Sequence, residues 1–153
     1  MNLLTLTFWT SLAGAVIILF LKKEAHQAIK RTAATTGFLC LLLSALAYFG
    51  YDLGLGEMQY VLKRPWIPQL GIDFHVGADG ISLPLVLLTG FILYTGVLIS
   101  WNVNDRPKEF FFLFLLLVTG VFGVFASLDL FLLFFFYELA VLPMYLLIGV
   151  WGS

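Results

Sequence analysis

The length of the apolar runs constrains this chain more than any other feature. Crossing the ~30 Å hydrocarbon layer of a bilayer takes roughly 20 apolar residues at ~1.5 Å rise per residue. Windows of that length recur at residues 3–21, 32–51 and 81–101, bounded by Lys22-Lys23, Asp52 and Asn102. From Glu109 to Ser153 only Asp129 and Glu138 bring charge into the run. That stretch is long enough for two crossings, so a tight turn is expected at Ser127-Leu128-Asp129, with helices over 109–128 and 130–152. Charged residues make up 11% of the chain and its net charge is −1. A soluble domain carries about 25% charged residues, so this chain could not cover its own surface in water. A freely soluble globule is excluded, and without a basic run nucleic acid is excluded as a partner. The expected fold is an all-α, polytopic membrane protein with about five transmembrane helices in one membrane domain, residues 1–153, in contact with the lipid bilayer.

No basic segment precedes the first apolar window and Ala13-Gly14-Ala15 lies inside it, so it reads as a retained helix and not as a cleaved signal. Lys and Arg on short loops set orientation. Lys22, Lys23, Lys30, Arg31, Arg106 and Lys108 fall on one side and only Lys63 and Arg64 on the other, which predicts the N-terminus outside and Ser153 at the cytoplasmic or equivalent end of the fifth helix. The outer loop, 52–80, contains Ile72-Asp73-Phe74-His75-Val76 between Gly71 and Gly77. Its alternation predicts a short strand, half of a hairpin. Asp79 or Ser82 is the expected cap of the third helix, with Pro84 in its first turn.

A charge at the centre of a spanning helix costs about 2.5 to 3.5 kcal/mol on insertion scales, and Glu138 is the one acid placed there. It lies ~12 Å along the helix from Leu130 at 1.5 Å per residue, well inside the hydrocarbon. Burial favours its neutral form and a nearby cation favours its carboxylate. Every Lys and Arg is expected on a loop or at a span end, so the cation must come from elsewhere. Pro143 removes the amide that would bond the Leu139 carbonyl, and a break beside an acid can admit water where protein surrounds it. Asp129 is read as a cap at the turn, with a place at the mouth of a proton path as its functional alternative. Gly120, Gly123 and Ser127 form one narrow face for close helix packing. The triplets Phe110-Phe111-Phe112 and Phe134-Phe135-Phe136 read as lipid-facing and interhelical bulk, and Cys40 as a small core residue. His26 and His75 are far apart and unsupported by other ligands, so no metal site is indicated. No phosphate loop, nucleophile elbow or cysteine ladder is present, and no redox chemistry is visible in the chain.

The stretch from Phe74 through Asp79-Gly80-Ile81-Ser82-Leu83-Pro84-Leu85, then Asp129-Leu130, then Tyr137-Glu138-Leu139-Ala140-Val141-Leu142-Pro143-Met144-Tyr145 and on to Trp151-Gly152, resembles the N-terminal portion of subunit M, the mitochondrial subunit 4 type, of proton-pumping NADH:quinone oxidoreductase (complex I). The Leu-Pro-Met-Tyr segment separates it from the related L and N subunits and from multisubunit cation/proton antiporters. The resemblance implies an antiporter-like inverted-repeat bundle of about fourteen helices with a broken helix and buried lysines in each repeat. Neither feature is expected in this chain. It further implies that Glu138 is the family's essential glutamate, exchanging protons with a lysine from a later helix or partner chain, and that either the gene is split or the chain is a fragment, with a second polypeptide expected to supply the remaining helices. The chain would then be a non-redox subunit of a proton translocase without catalysis of its own. No cofactor is expected on it, with NADH, FMN, iron–sulfur clusters and quinone on other subunits. Other membrane-arm subunits would be its partners, in a bacterial plasma membrane or a mitochondrial or plastid inner-type membrane. The alternatives are a component of a cation/proton antiporter or a purely structural membrane subunit.

Overall fold

A computed structural model describes residues 2–52 and 54–152. Ser153, placed by the sequence at the end of the fifth helix, lies outside the described residues. Five helices, α1 (Leu3–Phe20), α2 (His26–Phe49), α3 (Ser82–Ile99), α4 (Pro107–Ala126) and α5 (Leu130–Trp151), are each long and apolar enough to cross a membrane. Between α2 and α3 stands an antiparallel hairpin, β1 (Gln59–Ile67) and β2 (Ile72–Ala78). A single turn of tight helix at Pro68–Leu70 joins the strands, and Gly71, at φ +67°, closes it in a left-handed conformation that a side chain would strain.

The helices alternate in direction, so the ends of α2 and α4 and the starts of α1, α3 and α5 gather on the hairpin side. Sequence-distant hydrogen bonds fasten that side. Asn2 caps α1, its side-chain oxygen accepting from the Thr5 amide at 2.9 Å, while its amide donates to the Tyr60 carbonyl. Tyr60 sits at φ +55° beside an irregularity in the strand register, and its hydroxyl donates to the Ala47 carbonyl at 3.0 Å. The Leu128 amide donates to the His75 carbonyl at 2.9 Å, which ties the turn between α4 and α5 to β2. Asp79 organises the turn that leads into α3: its carboxylate accepts from the amides of Ile81 (3.0 Å) and Ser82 (2.7 Å), and Ser82 Oγ accepts from the Asp79 amide at 2.9 Å. The reciprocal arrangement satisfies amides that a helix start leaves free.

The opposite side is fastened by charge. Lys108 donates to the carbonyls of Leu19 (2.8 Å) and Leu21 (2.7 Å), satisfying acceptors at the end of α1 where the helix dipole favours a cation. Lys23 pairs with Glu109 at 3.2 Å. Trp151 donates to the Asp105 carbonyl at 2.9 Å and lies under the Arg106 guanidinium, 5.5 Å from ring centre. On this side the structure corrects two expectations. α2 begins at His26 and not at 32, so Lys30 and Arg31 are helical. Lys30 is also buried, 6% exposed, with Nζ donating to Asn104 Oδ1 at 3.0 Å. A lysine stem can lie along apolar surface while its head reaches a polar group, so loss of hydropathy does not mark the start of this helix.

α4 is the hub. It packs on α1, α2, α3 and α5, and its Phe111, Leu115, Val118 and Phe122 are buried. Inside the bundle the Ser11 hydroxyl donates to the Leu115 carbonyl at 3.2 Å, and Thr119 Oγ1 lies 2.8 Å from both Ser11 Oγ and that carbonyl. This polar cluster binds α1 to α4 where no water is at hand to satisfy it. Cys40 is buried, its thiol 3.7 Å from the Thr7 carbonyl.

Candidate functional site

The surroundings of Glu138 follow from how α5 meets α4. α5 starts at Asp129, whose carboxylate accepts from the Leu132 amide at 3.0 Å; the second acid of the run is thus an N-cap on the hairpin side. Leu132, Phe136 and Pro143 are the buried residues of α5, one stripe at helical spacing. Gly120 and Gly123 of α4 admit that stripe. A Cβ on Gly120 would lie 2.7 Å from the Ala140 nitrogen and 2.9 Å from the Phe136 oxygen, and one on Gly123 would overlap the Phe136 ring. The two backbones therefore approach as only glycine allows, and the contact fixes how α5 is rotated.

With 3.6 residues per turn, Glu138 falls about 140° around the helix from the centre of that stripe. It is exposed on the surface of the chain, between Phe135 and Leu142 on one flank and Phe134 and Tyr145 on the other. Among the described residues it makes no hydrogen bond and no ion pair. A recess of about 240 Å³ opens beside it, lined by Leu116, Phe135, Glu138, Leu139, Leu142 and Pro143. Pro143, itself buried, brings no amide to the Leu139 carbonyl. An acid thus borders a recess in an otherwise apolar wall, on a helix from which Pro143 removes one backbone donor.

The basic residues lie elsewhere. Lys23, Lys30, Arg106 and Lys108 are engaged on the side opposite the hairpin, and Lys63 pairs with Asp73 at 3.1 Å in the hairpin. Asp129 and Glu138 are about two and a half turns apart along α5 and are not brought together. The aromatic triplets divide by face: Phe136 is buried while Phe134 and Phe135 are exposed, and Phe111 is buried between half-buried Phe110 and Phe112. Among the described residues no cluster of three His, Cys, Asp or Glu could hold a metal ion. The sequence reading missed Lys30 with Asn104 and the Ser11–Thr119 cluster. The hydroxyls of the latter, isolated in apolar runs, were the available signal.

No family model matches the chain. Similarity to individual proteins is extensive. The chain is 38% identical over 152 residues to NAD(P)H-quinone oxidoreductase chain 4 of Prochlorococcus marinus, an alignment covering 98% of this chain and 28% of that protein. It is 44% identical over 113 residues to the protein of the same name in Gloeobacter violaceus, covering 74% of this chain and 22% of the relative. A chain 4 protein of a Synechococcus species is 45% identical over 113 residues, with 74% and 21% covered. Over nearly its whole length the chain is similar to part of NAD(P)H-quinone oxidoreductase chain 4. It spans less than a third of the length of the chain 4 relatives it matches. The 38% alignment takes in α1 through α5, and hence Glu138, Pro143 and the glycine face that orients them.

Proposed function

We propose that the chain contributes the N-terminal helices of a proton-translocating membrane-arm subunit of an NAD(P)H:quinone oxidoreductase, with its N-terminus and hairpin on the outer side. In this reading Glu138 takes up and releases a proton in partnership with a lysine carried by a helix outside the described residues. One observation carries it: Glu138 is the only charged residue more than two turns from a helix end, and it stands exposed and without a partner among the described residues, at a recess that Pro143 leaves open. An uncompensated charge at that depth is costly, so a neighbour supplying positive charge would hold the carboxylate, and withdrawal of that neighbour would return the proton. Two arrangements of the pair, biased by redox energy delivered elsewhere in the complex, are enough to move a proton in steps. Asp129 supports this by fixing the start of α5, and Pro143 by keeping the Leu139 carbonyl available. The electron carriers NADH, FMN, iron–sulfur clusters and quinone would be held by partner subunits.

The test is Glu138→Gln in the assembled enzyme, which keeps shape and removes titration. Electron transfer to quinone and the protons moved per electron are measured together in sealed vesicles. The expected result is an assembled complex whose proton yield falls sharply; an unchanged yield overturns the proposal.

A further inference from the structure

A larger cavity than the recess at Glu138 lies at the hairpin side, about 570 Å³, between the first two turns of α1 and α5 and beneath the hairpin. That volume falls within the range of small-molecule sites. Its walls are aromatic. Phe8 packs edge-on against Phe136 at 5.1 Å between ring centres, and Trp66 of β1 packs against Phe135 at 5.3 Å. Its roof is the inward face of the hairpin: Leu62, Arg64 and Trp66 alternate along β1, and Phe74 of β2 sits opposite Arg64 in the register. Strand alternation turns Lys63 to the other face, where it pairs with Asp73 at 3.1 Å. Arg64 is exposed at the cavity and has no carboxylate partner among the described residues.

We propose that this cavity is a binding site for an anionic phospholipid, with the headgroup phosphate on Arg64 and an acyl chain between the aromatic walls of α1 and α5. The depth fits. Phe8 lies about 8 Å, and Phe135 about 8 Å, from the hairpin-side starts of their helices at 1.5 Å per residue, so the walls occupy the upper acyl region and the hairpin lies at headgroup level. Trp9 and Trp66, 48% and 42% exposed, are placed as interfacial tryptophans are. The charge fits as well. A guanidinium offers a planar fork to a phosphate, and a basic group in a pocket between spanning helices is the usual means of selecting an acidic headgroup. A protein helix filling the same cleft would have to satisfy Arg64 with an acid of its own.

Trp9 and Trp66 line the cavity while Trp101 and Trp151 lie on the opposite side, so the 153-residue chain carrying Trp101→Phe and Trp151→Phe reports on the cavity by fluorescence. It is reconstituted in phosphatidylcholine vesicles containing the same small fraction of acyl-brominated phosphatidylglycerol or acyl-brominated phosphatidylcholine. The expected result is stronger quenching by the brominated phosphatidylglycerol, equivalent to roughly fivefold enrichment, the factor one basic residue near an acidic headgroup supplies. Arg64→Gln should abolish the excess and Arg64→Lys should keep part of it, with circular dichroism verifying helix content in each variant. Equal quenching by the two lipids overturns the proposal, as does an excess that survives Arg64→Gln or a cavity that neither lipid quenches beyond the bulk level.

Discussion

Asp129 accepts an amide hydrogen from its own helix, whereas Glu138, ~14 Å along the same helix at 1.5 Å per residue, accepts none among the described residues. The two acids should therefore answer substitution differently. Asp129→Ala removes an N-cap and is expected to cost about 1 kcal/mol, seen as a lower unfolding temperature in detergent. Glu138→Gln should leave the unfolding temperature of the chain unchanged or raise it, because it takes a potential charge out of a spanning face; a clear drop would mean that the carboxyl holds the fold together. Asp79 answers to pH. The Ser82 amide first, and the Ser82 hydroxyl after it, hold its carboxyl below the ordinary value of 3.8 against a smaller opposing effect of desolvation. A carboxylate depressed in the folded state stabilises fully above its unfolded value, and that contribution fades as pH falls below about 4 toward the folded value. Melting curves between pH 6 and pH 3 should show wild type losing stability at the acid end. Asp79→Asn should start lower and lose less over the same range.

Between elements, the decisive contact is the glycine face of α4 against α5. The atoms that a Cβ on Gly120 would meet are the Ala140 nitrogen and Cβ and the Phe136 carbonyl oxygen, all fixed to the backbone and unable to swing aside as a side-chain tip can. Gly120→Ala is thus expected to push α5 away from α4 and cost about 1 to 3 kcal/mol, the range for overpacking a close contact. Since the same contact fixes the rotation of α5, if Glu138 works as proposed the proton yield of the assembled enzyme should fall as well although Glu138 is untouched; a normal melting temperature would show that the helices are not in this register. How far such elements can be read from sequence depends on what limits each. The number of helices and the turn between α4 and α5 follow from run length, because the bilayer sets how many apolar residues a crossing needs. The start of α2 does not follow, since Lys30 is held in the helix by Asn104, 74 residues away. β2 shows in the alternation between Gly71 and Gly77. β1 contains Lys63-Arg64-Pro65 and a left-handed Tyr60, and it is specified by its pairing and by ties to Asn2 and Ala47. Glu138 stood out as a charge in an apolar run, but which way it faces rests on Gly120 and Gly123 meeting Phe136 and Ala140, a relation between two helices that one helix's sequence does not contain.

At the scale of the molecule, α5 is the helix the rest of the chain does least to enclose. Only 17% of its apolar window is buried, against 33% to 44% for the other four, and its outward face carries Tyr137, Glu138 and Tyr145 among large apolar side chains. Lipid can cover the apolar part of that face. It cannot offset a carboxylate, and a neutral acid in contact with acyl chains still lacks hydrogen-bond partners. If Glu138 works as proposed, this face is covered by protein in the assembled enzyme while other outward faces stay in lipid. The chain's single cysteine, Cys40, is fully buried, so a spin label directed to an introduced cysteine reports on one place. A label at Tyr145, one face with Glu138, should be mobile in the isolated chain in a bilayer and open to collision with dissolved oxygen. It should become immobile and shielded when the complex assembles. A label at Phe38 on the outward face of α2, 52% exposed, should change far less. Should the Tyr145 label stay mobile and oxygen-accessible in the working complex, Glu138 would face lipid throughout the cycle, and a charge-paired proton relay at that position would have no partner to pair with.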